Sequence, residues 1–154
     1  MRESLLTPSL TPSAAPAANL YSVQSGFLVA FFGGPFAIIL YSALNSWKLR
    51  RPLEALAYLA ALALCVAVIA GITAGWLPLA WLAGIIGNSA AEVVWRALSI
   101  ALFGAFYLMH RKQHRSAALF GAKPPSPWIP AIVCAVLAYG MKIAVLAYVK
   151  ANLA

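Results

Sequence analysis

The sequence predicts an all-α, polytopic membrane protein: four transmembrane helices in an antiparallel, up-down bundle, with a short interfacial segment between the second and third. Three observations carry this. Four long apolar stretches recur along the 154 residues, 64% of the residues are hydrophobic against 9% charged, and the connections alternate between strongly and weakly basic. The stretches cover 22–44, 53–75, 89–109 and 128–149. Each is long enough, at about 1.5 Å rise per residue, to cross a hydrocarbon core of about 30 Å. A water-soluble domain of this composition has too little polar surface to hide its apolar residues, so lipid is the expected solvent. The length suits one four-helix domain over 22–154, with residues 1–21 as a disordered extracytoplasmic tail rich in Ser, Thr, Pro and Ala.

The first span carries Gly33-Gly34-Pro35 near its middle. Proline has no N–H for the carbonyl of Phe31 and its ring crowds that carbonyl, so a kink is expected, eased by the two glycines. A broken helix at membrane depth can present backbone groups to a substrate, or it can serve packing alone. Packing is preferred here, because Phe31, Phe32, Phe36, Ile38 and Ile39 around the kink offer no polar side chain to complete a site.

The second span holds two rows of small residues, Ala63-Ala67-Gly71-Gly75 and Ala60-Ala63-Ala67-Ala70-Ala74. Either permits close helix approach, within the chain or in a homo-oligomer. Residues 77–88 are apolar but too short to cross, and with Pro78 and Trp81 they are expected to lie in the interface. Cys65 and Cys134 fall mid-span and are read as small packing residues.

The third span opens with Ser89 and Glu92 at the spacing of a capping box. Ser89, Glu92, Arg96 and Ser99 then form a polar stripe along one face. In the fourth span Ala131, Ala135, Ala138 and Lys142 share a face, and Lys142 falls at the level of Arg96. Glu92, Arg96 and Lys142 are therefore expected to meet as an intramembrane charge cluster between helices three and four. The cluster either locks the two helices or holds a small anion such as a lipid phosphate or carboxylate.

The run Phe32-Gly33-Gly34-Pro35-Phe36-Ala37, followed by Asn45 and the basic Lys48-Leu49-Arg50-Arg51-Pro52, resembles a segment of small bacterial four-helix inner-membrane proteins of undefined role. A second such patch leads through Ser126-Pro127-Trp128 into the last span. The resemblance implies a bacterial inner-membrane location and supplies no active-site residue.

Charge orients the chain. Lys48, Arg50 and Arg51 follow the first span and Arg111, Lys112, Arg115 and Lys123 follow the third, whereas only Arg2 and Lys150 flank the spans from the other side. The positive-inside rule puts both basic loops in the cytoplasm, facing anionic headgroups, and both termini outside. The net charge of +8 is thus assigned to lipid, not nucleic acid.

Catalysis finds little to work with. The chain has no Asp, and its acids are Glu3, Glu54 and Glu92, which argues against paired-carboxylate chemistry and an all-protein Mg²⁺ or Ca²⁺ site. His110 and His114 have the spacing of two ligands on one helix face, but their neighbours Arg111, Lys112 and Arg115 favour a solvated basic turn over a metal or haem site. No cofactor motif is present. The expected role is structural or accessory, binding lipid or a membrane partner. The alternative is a small oligomeric transporter or channel built on the Pro35 kink and the charge cluster.

Overall fold

A computed structural model describes residues 21–48, 52–75, 81, 85, 89–119 and 125–153. It contains four long helices: α1 (Val23–Lys48), α2 (Ala55–Thr73), α3 (Ala90–Leu119) and α4 (Trp128–Leu153). A 3-10 turn at Pro52–Glu54 leads into α2, and no strand occurs among the described residues. By length and composition each long helix could cross a membrane, with mean hydropathies of 2.0, 2.6, 1.4 and 2.1 in chain order. However, α1 turns back on itself at Gly34, which brings Tyr21 beside Asn45 and corrects the expectation of a first helix that crosses as one kinked span. The tail over 1–20, most of the segment 77–88, and Arg50, Arg51 and Lys123 lie outside the described residues.

The first helix is the hub. Both α3 and α4 pack along α1 and scarcely approach each other, while α2 lies against α4 and α1. The expectation that helices three and four would face one another is corrected here. The reason lies in the small residues of α1: a Cβ at Gly26 would sit 3.4 Å from the Phe103 ring, and one at Gly33 would sit 3.7 Å from the Ala135 side chain. These bare positions let α3 and α4 both close on α1. The core that results gathers Phe36, Ile38, Ile39 and Tyr41 of α1, Cys65 and Ile69 of α2, Leu102 and Phe106 of α3, and Cys134 and Ala138 of α4.

On α2 the inward face is Tyr58, Ala61, Cys65 and Ile69, whereas Ala63 and Ala67 are exposed. Neither small-residue row is thus the main seam within the chain, and Ala63 and Ala67 look outward. The outer surface is apolar, with Phe32, Leu53, Ile129 and Val136 all largely exposed. Such a surface suits lipid and would be a liability in water.

The third helix departs from its expected end. It runs to Leu119, well past the predicted stop at 109, because Arg111, Lys112, Gln113 and Arg115 are good helix formers and neither Gly nor Pro interrupts them. Arg111, Lys112 and Arg115 therefore sit on the exposed side of a helix, not in a loop.

Candidate functional site

The site begins with a break in α1. Gly34 has φ 79° and ψ −174°, a backbone region essentially closed to residues with a side chain. Pro35 explains part of this, since proline drives the preceding residue out of the α region, and only glycine reaches the geometry adopted here. The neighbouring glycine has a different reason: a Cβ on Gly33 would lie 2.5 Å from the Cβ of Ala37. Just before the break, the Ser99 hydroxyl of α3 donates to the carbonyl of Ala30, tying the broken helix to its neighbour.

A cavity of about 380 Å³ lies against this break, and all four helices line it. Gly33 and Gly34 come from α1, Thr73 from α2, Glu92, Trp95 and Arg96 from α3, and Ala135, Ala138 and Lys142 from α4. The kink and the charged residues, which the sequence presents as separate features, thus border one space. No polar group on α1 was needed, because α3 and α4 supply them. Trp95 holds the arrangement together: its ring meets Phe36 edge-on with centroids 5.5 Å apart, and the Lys142 ammonium lies 5.8 Å from the ring centroid. Arg96 lies 5.8 Å from the centroid of Phe31. Both cations are within the range of cation–π attraction.

Glu92 does not pair with them at close range. Among the described residues, no N···O contact within 4.0 Å joins Glu92 to Arg96 or Lys142. Nor does the expected capping box form: Val93 donates its backbone N–H to the Ser89 carbonyl at 3.0 Å, but no side-chain bond links Ser89 and Glu92. The Glu92 carboxylate is instead part of the cavity wall.

A second constellation, missed in the sequence, sits where the 3-10 turn meets α1, α2 and α3. His110 is buried at 3% exposure, with Nε2 2.9 Å from Glu54 Oε2 and 2.9 Å from Ser46 Oγ. Ser46 also bonds the Glu54 carboxylate and the Tyr58 hydroxyl, and Tyr58 donates to the Ser42 carbonyl at 3.2 Å. An ionised carboxylate only accepts, so Nε2 must carry the proton toward Glu54. A hydrolytic triad needs the carboxylate and the hydroxyl on opposite imidazole nitrogens, whereas here both face Nε2. With Ser46 only 4% exposed as well, the group is a polar knot joining three helices. The solvated reading of His110 is therefore corrected: its face continues Ser99, Leu102 and Phe106, all buried.

His114, one turn on, borders a small pocket of about 30 Å³ with His110, Asn45 and Tyr41. Burial, and then the proximity of His110, hold its pKa below the ordinary 6.5. Nearby, Asn45 accepts from the backbone N–H of Tyr21 at 3.1 Å, and Lys48 lies 3.7 Å above the Tyr21 ring. Asn45 and Lys48, which carry part of the sequence resemblance, thus hold Tyr21 beside the C-terminal end of α1. With the Ser25–Tyr41 hydroxyl pair at 2.7 Å, they show that the segments before and after Gly34 fold back on one another. Among the described residues no group of three or more His, Cys, Asp or Glu side chains is placed to hold a metal ion. Comparison with protein families, curated proteins and solved structures finds no match to this chain.

Proposed function

We propose that the chain is a multi-pass protein of a bacterial inner membrane, with the basic ends of α1 and α3 cytoplasmic and the end of α4 extracytoplasmic, and that its role is accessory: it holds an anionic membrane component in the cavity at the break of α1. The observation that carries this reading is the unequal charge of one cavity. Arg96 and Lys142 border it with Glu92 as the only acid in its lining, none of them in a close ion pair. Uncompensated charge at membrane depth costs several kcal/mol by most measures, so an anion from the surrounding lipid offsets it. The basic ends of α1 and α3, through Lys48, Arg111, Lys112 and Arg115, add contact with anionic headgroups.

Thermal unfolding in a neutral detergent tests this. Added phosphatidylglycerol should raise Tm more than phosphatidylcholine does, and the double variant Arg96→Gln, Lys142→Gln should lose that difference. A ligand at ~100 times its Kd stabilises by ~2.7 kcal/mol, which is easily read as a shift in Tm. Equal response to both lipids in the wild type would defeat the proposal. The break at Gly34 favours a second reading, an oligomeric transporter, because a discontinuous helix beside intramembrane charge is how several transporters build a site. Anion flux in proteoliposomes from an oligomeric species supports that reading, and a monomer without flux supports the accessory one.

A further inference from the structure

We infer that the cavity takes one monoanionic amphiphile, which enters sideways from the lipid between α1 and α4 and places its oxyanion between Arg96 and Lys142. The inference rests on the accessory, anion-holding reading and adds the class of ligand and its route.

The chemistry of the walls selects an acceptor-rich group. Besides the guanidinium and the ammonium, the cavity offers the indole N–H of Trp95, whose Nε1 lies 3.2 Å from where a Cβ on Gly34 would stand. Among the described residues that N–H has no hydrogen-bond acceptor, and the bare Gly34 keeps the space before it open. Three donors, two of them charged, thus border a space with one carboxylate. Donor–oxyanion bonds of this type are the strong, short ones, and a single negative charge brings the cavity to neutrality.

The route follows from exposure. Phe32 of α1 is 80% exposed and Tyr139 of α4 is 68% exposed, yet both line the cavity, so one opening lies between these helices on the apolar outer surface, beside the exposed Thr73, Glu92 and Arg96 of the same lining. A hydrated free anion would have to cross hydrocarbon to reach such a mouth, whereas an anion attached to an acyl chain already resides there. Phe36, Ile69 and Leu146 supply an apolar wall for the start of that chain. The volume of about 380 Å³ is at the lower end of the ~300–1,000 Å³ range of small-molecule sites. It accommodates a headgroup oxyanion and the adjoining carbons, and leaves the rest of the chain in the lipid.

A fatty carboxylate and the phosphodiester of phosphatidylglycerol share this chemistry, so the experiment offers both. Purified protein is incubated with equimolar phosphatidylglycerol, phosphatidylcholine and oleate, and the retained species are counted by native mass spectrometry. Parallel samples receive inorganic phosphate or acetate as competitors. One anionic amphiphile per protomer is expected, with retention about tenfold lower in Arg96→Gln and in Lys142→Gln, restored toward wild type in the conservative Lys142→Arg, and unchanged in the distant control Lys150→Gln. Phosphatidylglycerol alone, or oleate alone, in the retained position identifies the source. Retention that survives both Gln variants, in protein with unchanged helicity and gel-filtration profile, overturns the site. Displacement by inorganic phosphate or acetate at the same concentration overturns the lateral amphiphile while leaving the anion-holding reading intact. Equal retention of phosphatidylcholine overturns both.

Discussion

Replacing His110 with Leu strikes the polar knot at its centre, and the structure sets the size of the effect. The imidazole contributes two contacts of 2.9 Å, to Glu54 and to Ser46, inside a region where His110 is 3% and the Glu54 side chain 11% exposed. Removing the donor that faces a buried carboxylate costs up to about 3–5 kcal/mol, chiefly because the remaining charge is stranded. Ser46 stays bonded to Glu54 and the site borders the helix ends, so the lower part of that range, about 3 kcal/mol, is expected for His110→Leu. Glu54→Leu should cost a similar amount. The double variant Glu54→Leu, His110→Leu strands no charge and should cost well below the sum, with a coupling of about 1.5–3 kcal/mol. The assay is reversible unfolding in mixed micelles, followed by circular dichroism, for the wild type and the three variants. Additive losses would refute the reasoning, and would mean that Glu54 and His110 are satisfied independently.

Three further outcomes follow from particular residues. Gly34→Ala should destabilise by about 1–3 kcal/mol, whereas Gly104→Ala and Gly140→Ala, where a Cβ meets nothing within 4 Å, should stabilise by about 0.5–1 kcal/mol in the same unfolding assay. In cells lacking the buried Cys65 and Cys134, a cysteine at Asn152 should react with a membrane-impermeant thiol reagent, and one at the exposed Trp47 should resist it; the reverse pattern would invert the topology. His114 binds its proton less readily in the fold than at the ordinary 6.5, so the unfolded chain protonates first and stability falls as pH drops below about 6.5. The fall levels off once folded His114 is also charged, and Tm measured against pH should show it in the wild type but not in His114→Gln.

The helices and their apolar faces were legible because length and hydropathy act locally. So was the place of the break, since Gly-Gly-Pro is a local backbone instruction, but not its form, because the chain reverses at Gly34 where a kink was expected. The shared face of Ala135, Ala138 and Lys142 follows from helical spacing. The position of α1 between α3 and α4 was not legible, because it depends on how bare positions such as Gly26 and Gly33 fit side chains far along the chain. The knot was hidden for the same reason: Glu54 and His110 are 56 residues apart, and the basic residues beside His110 pointed toward solvent. A signal was nonetheless present. Ser99, Leu102, Phe106 and His110 continue one helical face, and Ser42 with Ser46, and Glu54 with Tyr58, are spaced one turn apart on the facing segments. The end of α3 was misjudged because charge was read as a loop, although Arg, Lys and Gln prolong a helix readily.

The central claim is that the charges beside the break of α1 form a site for an anion and not a lock between helices, and the stability of delipidated Lys142→Met tests it most directly. Removing Lys142 leaves one cation and one acid in the lining and relieves the excess positive charge. The account predicts that, stripped of lipid, this variant is at least as stable as the wild type, and that it gains much less stability on adding phosphatidylglycerol. A loss of about 2 kcal/mol or more in the lipid-free state would contradict it, because a loss of that size is what breaking a buried, paired charge produces.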